Sequence, residues 1–120
     1  VIYSSYSSNK LASDIMTSLK DKTSIQSSNW TGINDIDGVY PTYRDGLYDR
    51  NQEIRETGGK LTGAGILIDN ESGKDSRKGM QAITVELGYM SNDHDFETVI
   101  KEEDKIVAAI VDAIVKYMEL

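Results

Sequence analysis

The chain has 120 residues and carries 20 acidic against 13 basic side chains, for a formal net charge of −7 at pH 7. This balance argues against nucleic acid and against anionic membrane surfaces as partners, because both are bound by clustered Lys and Arg. No run approaches the ~18 consecutive apolar residues of a spanning helix, so we expect no membrane insertion. The length fits one domain, residues 1–120, or part of a larger one.

Two residue counts limit the chemistry. Cysteine is absent, which excludes disulfides, thiolate metal sites and a cysteine nucleophile. The only histidine is His94. A zinc site with three ligands from this chain would therefore need carboxylates almost exclusively, which is unusual for zinc. We predict no metal ligand among these residues.

The first elements are readable from local pattern. The β-prone run Val1–Tyr3 predicts a strand. A helix is predicted from about Asn9 to Lys20, with Ser8 as its N-cap. Its apolar stripe consists of Leu11, Ala12, Ile15, Met16 and Leu19.

The middle of the chain, residues 21–63, is polar and gives weaker signals. Val39-Tyr40 favours a short strand. Residues 48–56 favour a brief helix that ends at Gly58-Gly59. Long polar segments inside compact domains are uncommon unless they are functional, so this region is also a candidate for binding.

The second half predicts two strands and a helix. The predicted strands are Ala64–Ile68 and Gln81–Leu87, and a charged loop over residues 69–79 joins them. The nearly continuous apolar character of the second strand predicts a central strand that is covered on both faces. The C-terminal helix has an apolar stripe made of Ile106, Val107, Ile110, Val111, Ile114 and Met118. This order of helices and strands predicts an α/β fold.

Glu86 is the candidate catalytic residue. It lies near the end of a strand that otherwise reads as core, and Gly88 follows to turn the chain. Ligands of α/β sheets bind outside the carboxyl ends of strands. A glutamate held there partly desolvated has a raised pKa that suits general acid–base catalysis. The competing interpretation is a solvated carboxylate at a fraying strand end.

A known family shares this pattern. The segment Thr84-Val85-Glu86-Leu87-Gly88-Tyr89-Met90-Ser91-Asn92 resembles the "V-E-x-G-F-x-S-N" signature of the zinc-dependent N-acetylmuramoyl-L-alanine amidases of bacterial cell walls. The start of the chain, Tyr3-Ser4-Ser5 followed by Ser8-Asn9-Lys10-Leu11-Ala12, is similar to a strand and an "S-x-x-L-A" helix of the same family. Tyr89 stands where Phe is usual, and Asp93 where Pro is common.

The resemblance carries expectations about fold and activity. It implies a mixed sheet flanked by helices, as in the phosphorylase/hydrolase-like zinc amidases, of which this chain would be the C-terminal portion. It implies hydrolysis of the amide between N-acetylmuramic acid and L-alanine of peptidoglycan, with Glu86 as the catalytic glutamate. The cofactor would be zinc, with its ligands upstream of residue 1. The location would be extracellular, at the bacterial cell wall.

Alternatives remain for the function and for the assembly. The chain could instead be a non-catalytic module, derived from the amidase fold, that binds wall material or a partner protein. A partial domain would also expose a sheet edge, which favours a homodimer.

Other candidate residues have simpler interpretations. We interpret His94 as a solvated loop residue rather than a ligand. The acidic loops 35–38 and 69–73 lack the spacing of calcium-binding loops. The following side chains could contact sugars or stem-peptide carboxylates, or simply pack and solvate the loops: Trp30, Tyr40, Tyr43, Tyr48, Arg50 and Arg55.

Overall fold

The computed structural model describes residues 1–4, 7–28, 37–42 and 81–119. Its strands are β1 (Ile2–Ser4), β2 (Tyr40–Thr42) and β3 (Ile83–Thr84). Its helices are α1 (Lys10–Lys22), α2 (Asp93–Lys101) and α3 (Glu103–Tyr117). The predicted α/β class is therefore confirmed for the described part of the chain.

The three described strands form a mixed sheet in the order β2-β1-β3. β1 pairs parallel with β2, where Ile2 lies opposite Tyr40, and antiparallel with β3, where Ile2 lies opposite Thr84. Pro41 lies in β2, at one side of this order. Proline has no backbone N–H to donate to a second neighbour. It is tolerated in β2 because this strand pairs with only one of the described strands. The mixed sheet expected from the sequence is present.

The core joins the facing sides of α1 and α3 to the apolar residues Val1, Tyr3 and Val39 at the sheet. The two helices run antiparallel, since Lys10 near the start of α1 lies over the ring of Tyr117 and Ser24 just after α1 contacts Glu102 just before α3. Alanine side chains on both helices are buried at this contact, which allows the backbones to approach closely. The buried residues of the two helices are Ala12, Ile15, Met16 and Leu19 of α1, and Ile106, Ala109 and Ala113 of α3.

The boundaries of α1 are close to those predicted, but its cap is not. The N-cap position is Asn9, whose side chain makes no capping hydrogen bond, so the prediction of Ser8 is wrong. The hydroxyl of Ser8 accepts a long hydrogen bond from the backbone N–H of Lys10, at 3.4 Å. At the other end the helix continues to Lys22, and the hydroxyl of Thr23 donates to the carbonyl of Leu19 at 2.7 Å.

The predicted C-terminal helix is present as α3, but its packing differs from the prediction. Residues 93–117 form two helices, α2 and α3, with Glu102 between them. Part of the predicted stripe is exposed, namely Val107, Val111, Ile114 and Met118. The helix has two overlapping apolar faces, and the face that carries the small side chains Ala109 and Ala113 packs on α1 because these side chains allow the closest approach. None of the described helices is long and apolar enough to span a membrane.

The strand predicted over residues 81–87 is shorter than expected. Only Ile83 and Thr84 pair as β3, and the described side chains here are half-buried or exposed, so the prediction of a strand covered on both faces is wrong. The three-residue strand β1 pairs only with this short part of residues 81–87. One further hydrogen bond runs from the Ser4 N–H to the Ala82 carbonyl, at 2.9 Å. The predicted strand 64–68, loop 69–79 and helix 48–56 lie outside the described residues.

Candidate functional site

Glu86 lies just beyond the carboxyl end of β3, as the sequence predicted. Its neighbours Val85 and Leu87 are partly buried against the core, while the Glu86 side chain is exposed. The expected partial burial of this carboxylate is therefore wrong in this chain. The exposure matches the competing interpretation of Glu86 as a solvated carboxylate near a strand end.

The carboxyl end of β3 lies beside the start of β1. The antiparallel pairing of Ile2 with Thr84 places Val1 next to the residues that lead to Glu86. The Val1 nitrogen donates to the Gly38 carbonyl at 2.7 Å, and burial lowers the pKa of this amino group. The negative charge of Glu86 acts on the same pKa in the opposite direction.

A fixed turn follows Glu86 and leads into α2. The Tyr89 N–H donates to Oδ2 of Asp95 at 2.9 Å, and the Asn92 N–H donates to the Tyr89 carbonyl at 3.0 Å. Asn92 is the N-cap of α2, and its Oδ1 accepts from the Asp95 N–H at 3.0 Å. The turn is therefore held to the first turn of the helix by three hydrogen bonds.

Gly88 is required where this turn approaches Asp95. Its φ is +156°, and a Cβ added to it would lie 2.7 Å from the Cβ of Asp95. A side chain at position 88 would therefore collide with α2 as well as strain the backbone. Tyr89 and Met90 extend from the turn into solvent, with 61% and 88% of their surface exposed.

The contact that Asp95 makes was not predicted from the sequence. A signal was present, because Asn92 and Asp95 have the spacing of a capping box, in which the N-cap residue and the acid three positions later bond each other's backbone. The sequence pattern could have located the start of α2 at residue 93. It could not have shown that the carboxylate of Asp95 bonds the amide of Tyr89.

His94 lies in the first turn of α2 and not in a loop, which corrects the sequence interpretation, although the predicted exposure is confirmed. Its Nε2 is 3.2 Å from the Ser24 carbonyl oxygen. Within the described ranges no three His, Asp or Glu side chains are grouped so that they could hold a metal ion. These residues therefore do not fit a zinc site.

The remaining candidates have structural contacts or are not described. Tyr40 is buried, and its hydroxyl lies 3.0 Å from the hydroxyl of Ser28, so the packing interpretation is confirmed for this tyrosine. Asp37 accepts hydrogen bonds from Ser27 and Lys20, which lower the pKa of its carboxyl group. The candidates outside the described residues are Trp30, Tyr43, Tyr48, Arg50, Arg55 and the acidic loop 69–73.

Comparison of the chain with protein-family models, curated proteins and solved structures finds no match. Function is therefore inferred from the segment around Glu86. This segment combines an exposed carboxylate near a strand end, a fixed turn after it, and exposed Tyr and Met side chains on the turn.

Proposed function

We propose that this chain is the C-terminal part of a peptidoglycan amidase domain that acts at the bacterial cell wall. The bond cleaved is the amide between N-acetylmuramic acid and L-alanine of the stem peptide, and Glu86 is the catalytic residue. The observation that carries the proposal is the position of Glu86. It is exposed at the carboxyl end of β3, inside the segment that resembles the amidase signature.

The chemistry assigned to Glu86 is proton transfer. Hydrolysis adds a water oxygen to the amide carbonyl carbon and breaks the C–N bond, so one proton must move from the water to the leaving nitrogen. A carboxylate within hydrogen-bond reach of both atoms can accept and then deliver that proton. The Glu86 side chain is exposed, so a substrate bound at this end of the sheet could reach its carboxylate.

The zinc ligands would lie before Val1, as the resemblance to the amidases implies. The position of Val1 supports this arrangement. It lies at the same end of the sheet as Glu86, because Ile2 pairs with Thr84 two residues before Glu86. A segment that precedes Val1 in a longer protein would enter the fold beside the Glu86 carboxylate.

The test is the Glu86→Gln substitution in the longer protein that includes the upstream ligands. We expect the release of L-alanine amino termini from purified peptidoglycan to fall by about 100-fold or more, because general acid–base groups contribute about 10²–10⁴ to rates. Glu103→Gln is the matched control, since Glu103 is also an exposed glutamate but lies at the start of α3. Residual activity of Glu86→Gln within about tenfold of wild type would remove Glu86 from the catalytic role.

A second candidate function is a non-catalytic module that binds wall material. The exposed Tyr89 and Met90 favour it, because aromatic and apolar side chains held on a fixed turn provide contact surface at low entropic cost. Cosedimentation of the zinc-free chain with peptidoglycan, compared with Tyr89→Ala, separates the two. Binding that depends on Tyr89, without hydrolysis by the longer zinc-loaded protein, would favour the module.

A further inference from the structure

The carboxylate of Asp95 makes a contact that helix capping does not require. In a capping box, the acid at this position returns to the N–H of the N-cap residue. In this chain the N–H of Asn92 is already bonded to the Tyr89 carbonyl. The Asp95 carboxylate instead bonds the Tyr89 N–H, which lies three residues before the cap.

The effect of this contact is to fix both polar groups of the Tyr89 backbone. Its N–H is bonded to Asp95 and its carbonyl to the Asn92 N–H. The bond to Asp95 has a carboxylate acceptor, and such bonds are roughly twice as strong as neutral ones. Gly88 lies directly against the Asp95 side chain, so this segment has no space in which to shift toward α2.

Glu86 is thus held from both sides along the chain. On one side is the β3 pairing with β1, and on the other is the turn fixed by Asp95, with the half-buried Leu87 between. An exposed side chain on a free strand end would sample many directions. A backbone held at two fixed points keeps the Cα–Cβ bond of Glu86 in one direction, which limits the positions that its carboxylate can take, and proton transfer to a bound substrate requires a positioned group.

We propose that Asp95 is a positioning residue for Glu86, an inference that rests on the proposed amidase function. Asp95 touches neither substrate nor metal. It acts by fixing the backbone of residues 88–89, and through it the orientation of the Glu86 carboxylate. Its contribution therefore affects the rate of the chemical step and not the binding of substrate.

The first experiment measures kcat and KM of Asp95→Ala in the longer, zinc-loaded protein. We expect kcat to fall by about 10- to 100-fold with KM nearly unchanged, because misplacement of a catalytic group by about 1 Å costs about 10²-fold. Asp95→Asn keeps an acceptor oxygen and should retain most of the activity. Asp93→Ala is the control, since Asp93 lies in the same first turn of α2 and its loss removes the same charge. Wild-type kcat in Asp95→Ala would overturn the inference.

The second experiment combines Asp95→Ala with Glu86→Gln. If Asp95 acts through Glu86, the double variant has the same residual rate as Glu86→Gln alone, because residues that act as a unit are not additive. A further tenfold loss in the double variant would mean that Asp95 supports the fold generally. Asp95→Glu replaces Asp95→Ala if the latter unfolds, since it keeps the charge but displaces the carboxylate by one methylene.

The third experiment is independent of activity. Amide hydrogen exchange in the same protein should show a protected Tyr89 N–H in wild type and in Asp93→Ala. Exchange should be at least about tenfold faster in Asp95→Ala, as expected when a hydrogen bond is lost. Unchanged exchange overturns the inference. A wild-type protein that does not cleave peptidoglycan overturns the amidase proposal and this inference together, whereas an active protein with unchanged Asp95→Ala kinetics overturns this inference alone.

Discussion

Ser24 donates two hydrogen bonds to the carboxylate of Glu102, from its backbone N–H at 2.7 Å and from its hydroxyl at 2.9 Å. The two residues are 78 positions apart in the sequence. Ser24 follows the C-terminal end of α1, and Glu102 lies between α2 and α3. This contact therefore joins the first helix to the corner between the other two, and His94 adds a third contact through the Ser24 carbonyl.

Removing the Glu102 carboxylate should lower the melting temperature. Glu102→Ala leaves the Ser24 N–H and hydroxyl without their acceptor and releases the helix corner. Glu103→Ala is the matched control, because this neighbouring glutamate is exposed and also lies at the start of α3. Thermal unfolding followed by circular dichroism should rank wild type and Glu103→Ala above Glu102→Ala. Equal melting temperatures for the two variants would show that the Ser24 contact contributes nothing.

Acidification should weaken the same contact. The hydrogen bonds from the Ser24 backbone and hydroxyl lower the pKa of Glu102 in the folded chain. The folded state thus favours the charged form, and its stabilisation is present above the unfolded pKa of about 4.3. It is lost as the pH falls through the lowered folded pKa. The melting temperature of Glu102→Gln should therefore decline less than that of wild type between about pH 5 and pH 3. Parallel declines would contradict this.

Enlarging an alanine at the α1–α3 contact should destabilise the core. Ala109 is fully buried, and its carbonyl accepts from the Ser18 hydroxyl at 2.8 Å, so the backbones are close. Ala109→Leu should cost about 1–3 kcal/mol in the free energy of unfolding, the usual cost of overpacking. Ala108→Leu places the same side chain at an exposed position of the same helix. Urea unfolding should separate the two variants, and similar midpoints would mean that the helices do not pack at Ala109.

A side chain at position 88 should disrupt the turn before α2. Gly88→Ala introduces a Cβ at 2.7 Å from that of Asp95 and places a non-glycine residue at a φ of +156°. We expect a loss of about 1–3 kcal/mol in the free energy of unfolding, the cost of a sparsely populated backbone conformation. Chemical denaturation measures this loss. A Gly88→Ala variant as stable as wild type would mean that the turn has another conformation in solution.

The chain alone should bind almost no zinc. The described residues contain no group of three His, Asp or Glu side chains arranged for a metal, and His94 faces Ser24. After chelation, re-addition of zinc and removal of excess metal, elemental analysis should find a content near zero per chain. A content near one would place ligands within residues 1–120, and His94→Ala would then be the first variant to test.

The local elements were predictable because their signals lie within a few residues of each other. The apolar stripe of α1 and the β-prone residues of β1 and β2 each identified an element to within about two residues. The position of Glu86 at the end of a strand followed from the same kind of pattern. Its exposure did not, because burial of a side chain depends on which elements surround it.

The features that were missed depend on contacts between distant residues. The apolar residues of α3 form two faces. The contact with α1, around Ala12, decides which face is buried, and the sequence of α3 alone does not show this. β1 pairs with both β2 and β3, and the sequence of a single strand likewise does not predict its neighbours in the sheet. The Tyr89–Asp95 bond required the backbone conformation of Gly88, which the sequence does not specify.

The pairing of β1 with β3 has a consequence for the order in which the chain folds. Ser18 and Ala109 are in contact across 91 positions, and Ile2 pairs with Thr84, so the contacts of α1 and β1 close long loops. During synthesis the face of α1 that packs on α3 and the side of β1 that pairs with β3 lack these partners until β3 and α3 leave the ribosome. Chains with many contacts between residues distant in sequence fold slowly, and their apolar surface stays exposed until those contacts form. We expect slow refolding for this chain, and aggregation of any nascent form that stops before residue 81.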